Sequence, residues 1–367
     1  MRIISVKDIT PSRQDCGCSL SHESVLREVI IGSGILGDLP NLLERLDIKK
    51  PFGVFYDKTT LKIAGEKIVR LVKGIGFEVS EPTFREAERI YILSRGVGGV
   101  LAVGGGTVID VGKYIAYKHQ IPFISIPTAL SHDGIVSPVV SLFYEGGRRS
   151  VITRAPIFSL IDLDIISTAP RILTASGFGD VLAKVVSIKD WQLGRDELRE
   201  EYCYTAEKYT LRSIGLVVDA LKSGDSENYE ALAEALVYSG ISMMIAGSSR
   251  PASGSEHLFS HYLDMYSPKR APHGVQTAIG TLPTSLYHEL HNPNWWKNPE
   301  YGWKKLRSYM ERAGIPLSLK ELEIPVEVAV KALIHSTDIR PDRYTILHKR
   351  RPTEDEAIQL LRETGLI

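Results

Sequence analysis

VGGVLAVGGGTVIDVGKYIA, residues 97–116, joins a continuous apolar run to a helix-forming one through three consecutive glycines, Gly104, Gly105 and Gly106. The segment Gly99–Val103 has the length and composition of a strand buried on both faces, and the residues after the glycines have helical spacing. Glycines at a strand-to-helix turn let the backbone approach a pyrophosphate, which the positive end of the helix then favours. The spacing matches neither familiar phosphate motif. Ile109 stands where the third glycine of GxGxxG would be, and no Gly-Lys-Ser/Thr follows as in a P-loop. From these residues alone, a phosphate cradle and a plain tight turn stay equally open.

Working outward, Val29–Ile31 reads as a strand, and the run ending at Asp57 as a second. Residues 62–82 read as a helix followed by a strand, residues from Phe84 as another helix, and Pro122–Ile126 as the strand after the glycine turn. Strands separated by helices of this length argue for a parallel sheet with crossover helices. Glu145-Gly146-Gly147 between two alternating runs predicts a β-ribbon. From Ser167 onward the spacing is helical; Leu232, Leu236, Val237, Ile241, Met244 and Ile245 share one face. The expected organisation is an α/β nucleotide-binding domain over residues 1–165 and an all-helical domain over 166–367.

A chain of 367 residues suits two domains, and 43% hydrophobic with 24% charged residues is ordinary for a globular protein. Zero formal net charge gives no reason to expect nucleic acid or a membrane surface as partner, so a small-molecule substrate is the default. No apolar run approaches the roughly 20 residues of a membrane span. The N-terminus lacks a basic-then-apolar signal pattern, so a cytoplasmic protein is expected. Three cysteines give no disulfide framework. Cys16 and Cys18 form a C-x-C with Cys203 alone and distant in sequence, which favours a reduced intracellular loop over a metal clip.

The loop Ser125–Gly134 leaves a strand at its carboxyl end, where ligands bind in open α/β sheets, and carries Thr128, Ser131 and Asp133. Asp57 sits where ribose-hydroxyl acceptors stand, and equally where an N-cap would. His257 and His261 lie four apart on one helix face, and His273 follows a Ser-Pro-Lys-Arg-Ala-Pro break that a helix cannot cross. Imidazoles from separate segments make half of a catalytic metal site, which a carboxylate would complete. Asp180, after Gly177-Phe178-Gly179 and before an apolar helix, is a candidate; helix capping is the simpler reading of it. The HExxH metalloprotease pattern is absent, because Leu258 occupies the glutamate position.

GGGTVID (104–110), PTALSHDG (127–134), GFGD (177–180), SEH with His261, and PHG (272–274) occur in the order found in sn-glycerol-1-phosphate dehydrogenases, which the chain resembles over most of its length. These belong to the superfamily of iron-containing alcohol dehydrogenases, glycerol dehydrogenases and dehydroquinate synthases. The resemblance implies a dehydroquinate synthase-like fold, with a Rossmann-like parallel-sheet domain, an all-α domain and an active site between them. It implies NAD(P) contacts at Gly106, Thr107, Val108, Ile109, Asp110, Thr128, Ala129, Leu130, Ser131 and Ser137, beside the Gly104, Gly105 and Asp57 already singled out. Asp133 then contacts substrate. Asp180, His257 and His273 hold one Zn²⁺ per subunit, although such a donor set also suits nickel or iron. Asp180 and His261 also meet substrate, with His261 a candidate proton relay.

The implied reaction is reduction of dihydroxyacetone phosphate by NAD(P)H to sn-glycerol 1-phosphate, the backbone of archaeal-type ether phospholipids. Glycerol dehydrogenase is the alternative enzyme, and a non-catalytic nucleotide-binding protein the alternative class. A dehydroquinate synthase-type site is disfavoured for want of several lysines around GFGD or HG. Arg250, Lys269 and Arg270 flank the motifs as candidates for the substrate phosphate. A homo-oligomer is expected, with Trp295-Trp296 as either an interface or a packed lid.

Overall fold

The computed structural model describes residues 2–6, 16–20, 22, 24–145 and 147–367. Its strands are β1 (Arg2–Ser5), β2 (Glu28–Gly32), β3 (Phe52–Tyr56), β4 (Ile75–Glu78), β5 (Gly99–Gly104), β6 (Phe123–Pro127), β7 (Val139–Tyr144), β8 (Gly147–Ile152) and β9 (Phe158–Asp162). Seven of them form one sheet in the order β1-β2-β9-β6-β5-β3-β4. All pairs in it are parallel except β1 with β2. β7 and β8 pair separately as the antiparallel ribbon, Val139 opposite Ile152 and Tyr144 opposite Gly147; Gly146 lies outside the described residues.

Alternation sends successive side chains to opposite faces of the sheet. Ile30, Leu101, Val103, Ile124 and Leu160 point to one face, where α1 (Leu39–Arg45) and α2 (Glu66–Val72) cover them with Leu39, Leu43 and Ile68. Val29, Ile31, Val100 and Ala102 point to the other, beside α3 (Phe84–Leu93) and α4 (Gly106–His119), and their core runs on without a break into the second half of the chain.

Two strands depart from the sequence reading. β1 is short, half-exposed and on the sheet edge. Residues 158–162, given no strand of their own in the sequence reading, form β9, wholly buried between β2 and β6. An apolar segment that must be buried on both faces carries no alternation to separate it from what precedes it.

After β9 the described residues contain no further strand. The longer helices are α5 (Arg171–Leu198), α6 (Tyr204–Lys222), α7 (Tyr229–Ala246), α8 (Ser255–Tyr266), α9 (His273–His291), α10 (Trp303–Arg312), α11 (Val326–His335) and α12 (Glu354–Glu363). α5 and α7 are buried around most of their circumference, the signature of central helices. α5 packs against α6 and α9, and α9 against α8. Trp295 and Trp296 are packed rather than free: Trp296 Nε1 donates to Val185 O at 2.9 Å, and Trp295 stacks on His288. No described helix is long and apolar enough to cross a membrane.

The strand order reverses at β3, which has β4 on one side and β5 on the other. Ligands in such sheets bind outside the carboxyl ends at this switch point. Asp57 and Gly104 terminate these two neighbouring strands.

Candidate active site

A cleft opens there and reaches the helical half. It is lined by Gly106, Thr107 and Asp110 of α4, by Ser131 to Gly134, and by His257, His261 and His273. No side chain caps α4, so the N–H groups of its first turn are left for a ligand or water. A Cβ on Gly106 would fall 2.2 Å from His132 Nε2, so only glycine leaves that backbone open. Val108 and Ile109 are fully buried and can offer a ligand only their backbone. Asp110 accepts from Ser141 N at 3.0 Å through Oδ2, while its buried Oδ1 has no hydrogen-bond partner among the described residues and stands 3.7 Å from Lys113 Nζ. Thr128, Ala129 and Leu130 are buried, Thr128 N donating to Gly104 O at 3.1 Å; Ser137, also buried, reaches the cleft. Asp57 caps the following helix, its Oδ1 accepting from Thr59 N and Thr60 N at 2.8 Å each. It does not line the cleft.

The sequence reading starts a helix at Asp180. α5 instead begins at Arg171, so Asp180 lies well inside it and caps nothing. The glycines before it are there for close approach. A Cβ on Gly177 would lie 2.0 Å from Leu130 O, one on Gly179 would lie 2.3 Å from Gly274 O, and one on Gly274 would lie 1.8 Å from Ser176 O. Bare backbone lets α5 touch both the 128–134 loop and the start of α9. Ser176 fastens the junction, donating to Ser131 O at 2.9 Å and accepting from Gly274 N at 3.0 Å.

These contacts bring Asp180, His257 and His273 together, their ligand atoms all within 4.8 Å of one another. Asp180 Oδ1 stands 3.8 Å from His257 Nε2 and 3.9 Å from His273 Nε2, too far for hydrogen bonds. Donors about 2.1 Å from a tetrahedral zinc stand about 3.4 Å from each other, close to this spacing. His257 Nδ1 lies 2.7 Å from Glu256 Oε1. A carboxylate only accepts, so Nδ1 carries the proton and Nε2 points a lone pair at the Asp180 carboxylate. Two lone pairs facing across 3.8 Å, and buried, fit a cation between them. Burial, with His257 and His132 nearby, drives the His273 pKa well below its usual value, which leaves the ring in the neutral form that can ligate a metal. His261, one turn beyond His257, faces the cleft, and burial with the adjacent His257 lowers it to about 3.

Lys184, which the sequence reading missed, is fully buried one turn after Asp180. Its Nζ contacts Asp133 Oδ2 at 3.0 Å, Asp180 Oδ2 at 3.1 Å and Asp180 O at 2.9 Å. Burial pulls the Lys184 pKa down, but the two carboxylates outweigh it and hold it above its usual value. Asp133 is held low: burial would raise it, but Lys184 and the Ser239 hydroxyl at 2.7 Å prevail. Asp180 is pushed up by burial and then by the Asp133 charge, an excess of negative charge that a metal cation would relieve. His132 also escaped notice; its Nδ1 accepts from Gly134 N at 2.9 Å. The i, i+4 spacing of Asp180 and Lys184 was the available signal.

None of the basic residues singled out for the substrate phosphate lines the cleft. Arg250 is buried against Glu200 at 2.7 Å, Lys269 lies beside Glu323 at the surface, and Arg270 donates to Asp264 O at 3.1 Å. The cleft's guanidinium groups are Arg148 and Arg340. Arg148 is held by Asp264 at 3.1 Å, whereas among the described residues Arg340 pairs loosely, with Asp342 at 3.8 Å.

A profile of the iron-containing alcohol dehydrogenase family matches residues 30–170. A glycerol-1-phosphate dehydrogenase (NAD(P)+) of Pyrococcus horikoshii is 38% identical over 351 residues, 93% of this chain and 98% of the relative. One from Staphylothermus marinus is 41% identical over 360 residues, 94% of this chain and 98% of the relative. Among solved structures, glycerol dehydrogenase from Schizosaccharomyces pombe superposes with a TM-score of 0.73 at 20% identity, over 92% of this chain and 88% of that one. Maleylacetate reductase from Rhizobium superposes at 0.72 and 17% identity, over 95% and 97%. At such identities the structural likeness establishes the fold.

Proposed function

The chain belongs to the glycerol-1-phosphate dehydrogenases of the iron-containing alcohol dehydrogenase family, and from that premise we propose how its residues reduce dihydroxyacetone phosphate to sn-glycerol 1-phosphate. The reaction is reversible, uses NAD(P)H and supplies the backbone of archaeal-type ether phospholipids. The observation that carries the assignment of roles is the open first turn of α4 facing the Asp180, His257 and His273 cluster across one cleft.

Residues 1–165 carry the nucleotide and 166–367 the metal and most of the substrate. The free amides at the start of α4 receive the pyrophosphate, Gly105 and Gly106 leaving them open. Asp180, His257 and His273 would hold the divalent metal, which when bound supplies Lewis-acid polarisation of the ketone oxygen while the nicotinamide supplies hydride. Glu256 keeps the His257 proton on Nδ1 and so orients the ring. Lys184 fixes the Asp133 and Asp180 carboxylates, leaving Asp133 Oδ1 free to accept from a substrate hydroxyl. Burial holds His261 neutral, so it hydrogen-bonds a substrate hydroxyl and relays a proton: in reduction its ring N–H gives a proton to the reduced oxygen while the other ring nitrogen takes one from solvent, and oxidation runs the relay in reverse. Arg340, with Arg148, receives the phosphate. The cytoplasm is where a charged triose phosphate and a pyridine nucleotide meet, and we place the enzyme there.

Oxidation of NADH by the purified protein with dihydroxyacetone phosphate, against the same assay with dihydroxyacetone, tests the substrate. Preference for the phosphorylated ketone, with the sn-1 enantiomer as product, is expected. Equal rates on the two ketones would favour glycerol dehydrogenase.

A further inference from the structure

We propose that Cys16, Cys18, His22 and Cys203 form a second, closed zinc site, which fastens the segment between β1 and β2 to the start of α6. The sequence sets Cys203 apart by well over a hundred residues, but the fold returns it. Cys16 Sγ lies 3.4 Å from Cys203 Sγ, Cys18 Sγ 3.0 Å from His22 Nε2, and Cys203 Sγ 3.5 Å from the same Nε2. All four donor atoms lie within 4.8 Å of one another. Around a tetrahedral zinc, two thiolate sulfurs stand about 3.8 Å apart, and a sulfur and an imidazole nitrogen about 3.6 Å. The three observed separations are each somewhat shorter than these values, so a small outward shift of the donors would seat the ion. A disulfide needs sulfurs about 2.05 Å apart, and all three cysteines are free.

The local chain is shaped for convergence. Gly17, between the first two cysteines, has φ 69°, and a side chain there would meet nothing within 4 Å, so the need for glycine is conformational. His22 holds φ 35°, a left-handed conformation uncommon for a residue with a side chain. Cys203 is the N-cap of α6 and accepts from Ala206 N at 3.4 Å, so the positive end of a helix of 19 residues faces this sulfur. Thr205 Oγ1 donates to Cys16 Sγ at 3.0 Å. Such outer hydrogen bonds are what orient and tune metal thiolates.

Three sulfurs and one imidazole leave no position for substrate, so the site is structural, and a sulfur-rich set selects zinc over magnesium, calcium or manganese. None of the four lines the cleft, so the site stands apart from the Asp180 cluster. It ties an N-terminal segment of the sheet half to a helix of the second half.

The test is the zinc content of the full-length protein, prepared under reducing conditions, for wild type, Cys18→Ser and His273→Ala. Wild type should carry one equivalent more than Cys18→Ser, which should keep its turnover while unfolding at a lower temperature. Equal zinc in wild type and Cys18→Ser overturns the proposal. Failure of the catalytic-metal reading looks different: His273→Ala then keeps all its zinc, while Cys18→Ser still loses an equivalent. Should Cys18→Ser not fold, cobalt-substituted wild type decides. Thiolate-to-cobalt charge-transfer absorption in the near ultraviolet is expected from this site and cannot come from an aspartate-histidine set; its absence overturns the proposal, as does a Cys16–Cys203 disulfide in the folded, reduced preparation.

Discussion

Lys184→Met removes the ammonium group that Asp133 and Asp180 share while keeping a side chain of similar length in a fully buried place. At contacts of 3.0 and 3.1 Å, each attraction is worth about 5 kcal/mol at an effective dielectric near 20. Desolvation of the ammonium offsets much of that, but deleting one partner leaves the carboxylates buried and uncompensated, at a cost of about 3–5 kcal/mol. Metal-stripped variant should therefore be less stable than metal-stripped wild type by that amount. Saturating zinc places positive charge beside Asp180 and should recover about 3 kcal/mol of the difference, the Coulomb energy of one replacement unit charge about 5 Å away at the same effective dielectric. Urea unfolding followed by circular dichroism, with and without zinc, reads both numbers from the midpoints. A loss below about 1 kcal/mol in the stripped proteins, or a loss that zinc leaves unchanged, would refute the reasoning.

Gly274→Ala drives a Cβ to within 1.8 Å of Ser176 O, so stability should fall by about 1–3 kcal/mol or more, and metal retention on dialysis should fall with it, as α9 moves off α5. Arg340→Ala should raise KM for dihydroxyacetone phosphate roughly 10–100-fold, the worth of a charge-assisted hydrogen bond, and leave KM for dihydroxyacetone unmoved; equal effects on both would remove Arg340 from the phosphate site. Glu86 accepts from Arg89 Nε at 2.7 Å and from Ser80 N and Oγ, and chiefly the Arg89 bond lowers its pKa to about 2. Its contribution is full above the ordinary carboxylate range and fades as pH falls from about 4.5 toward 2, so Glu86→Gln should destabilise by about 1–3 kcal/mol at pH 7 and progressively less below pH 4. A difference independent of pH would contradict that assignment.

The layered architecture was legible because its signals are local: buried strands such as Gly99–Gly104 are continuous apolar runs, and the glycine turn after them marks where a helix starts. The three histidines were legible for a similar reason, since i, i+4 spacing and a proline break are readable from neighbours. What escaped depends on distance in sequence. Asp180 looked like a cap because glycine ordinarily interrupts helices, yet Gly177 and Gly179 serve contacts with Leu130 and Gly274 that only the fold reveals. Lys184 was passed over because its partner Asp133 lies on a loop before the ribbon. The phosphate candidates Arg250, Lys269 and Arg270 do not line the cleft because nearness in sequence to His257 and His273 does not aim a side chain: Arg250 turns to Glu200, while the Arg148 that lines the cleft arrives from β8 and Arg340 from beyond α11. Cys203 was discounted on the same ground.

The central claim is that Asp180, His257 and His273 hold the metal on which reduction of dihydroxyacetone phosphate depends. NADH oxidation with that substrate should be measured for wild type and His273→Ala, each after chelation and after zinc is returned. The account predicts that wild type loses turnover on chelation and regains it with zinc, and that His273→Ala stays inactive in both states while remaining folded. Turnover that survives complete chelation, or near-normal turnover by His273→Ala, would contradict it.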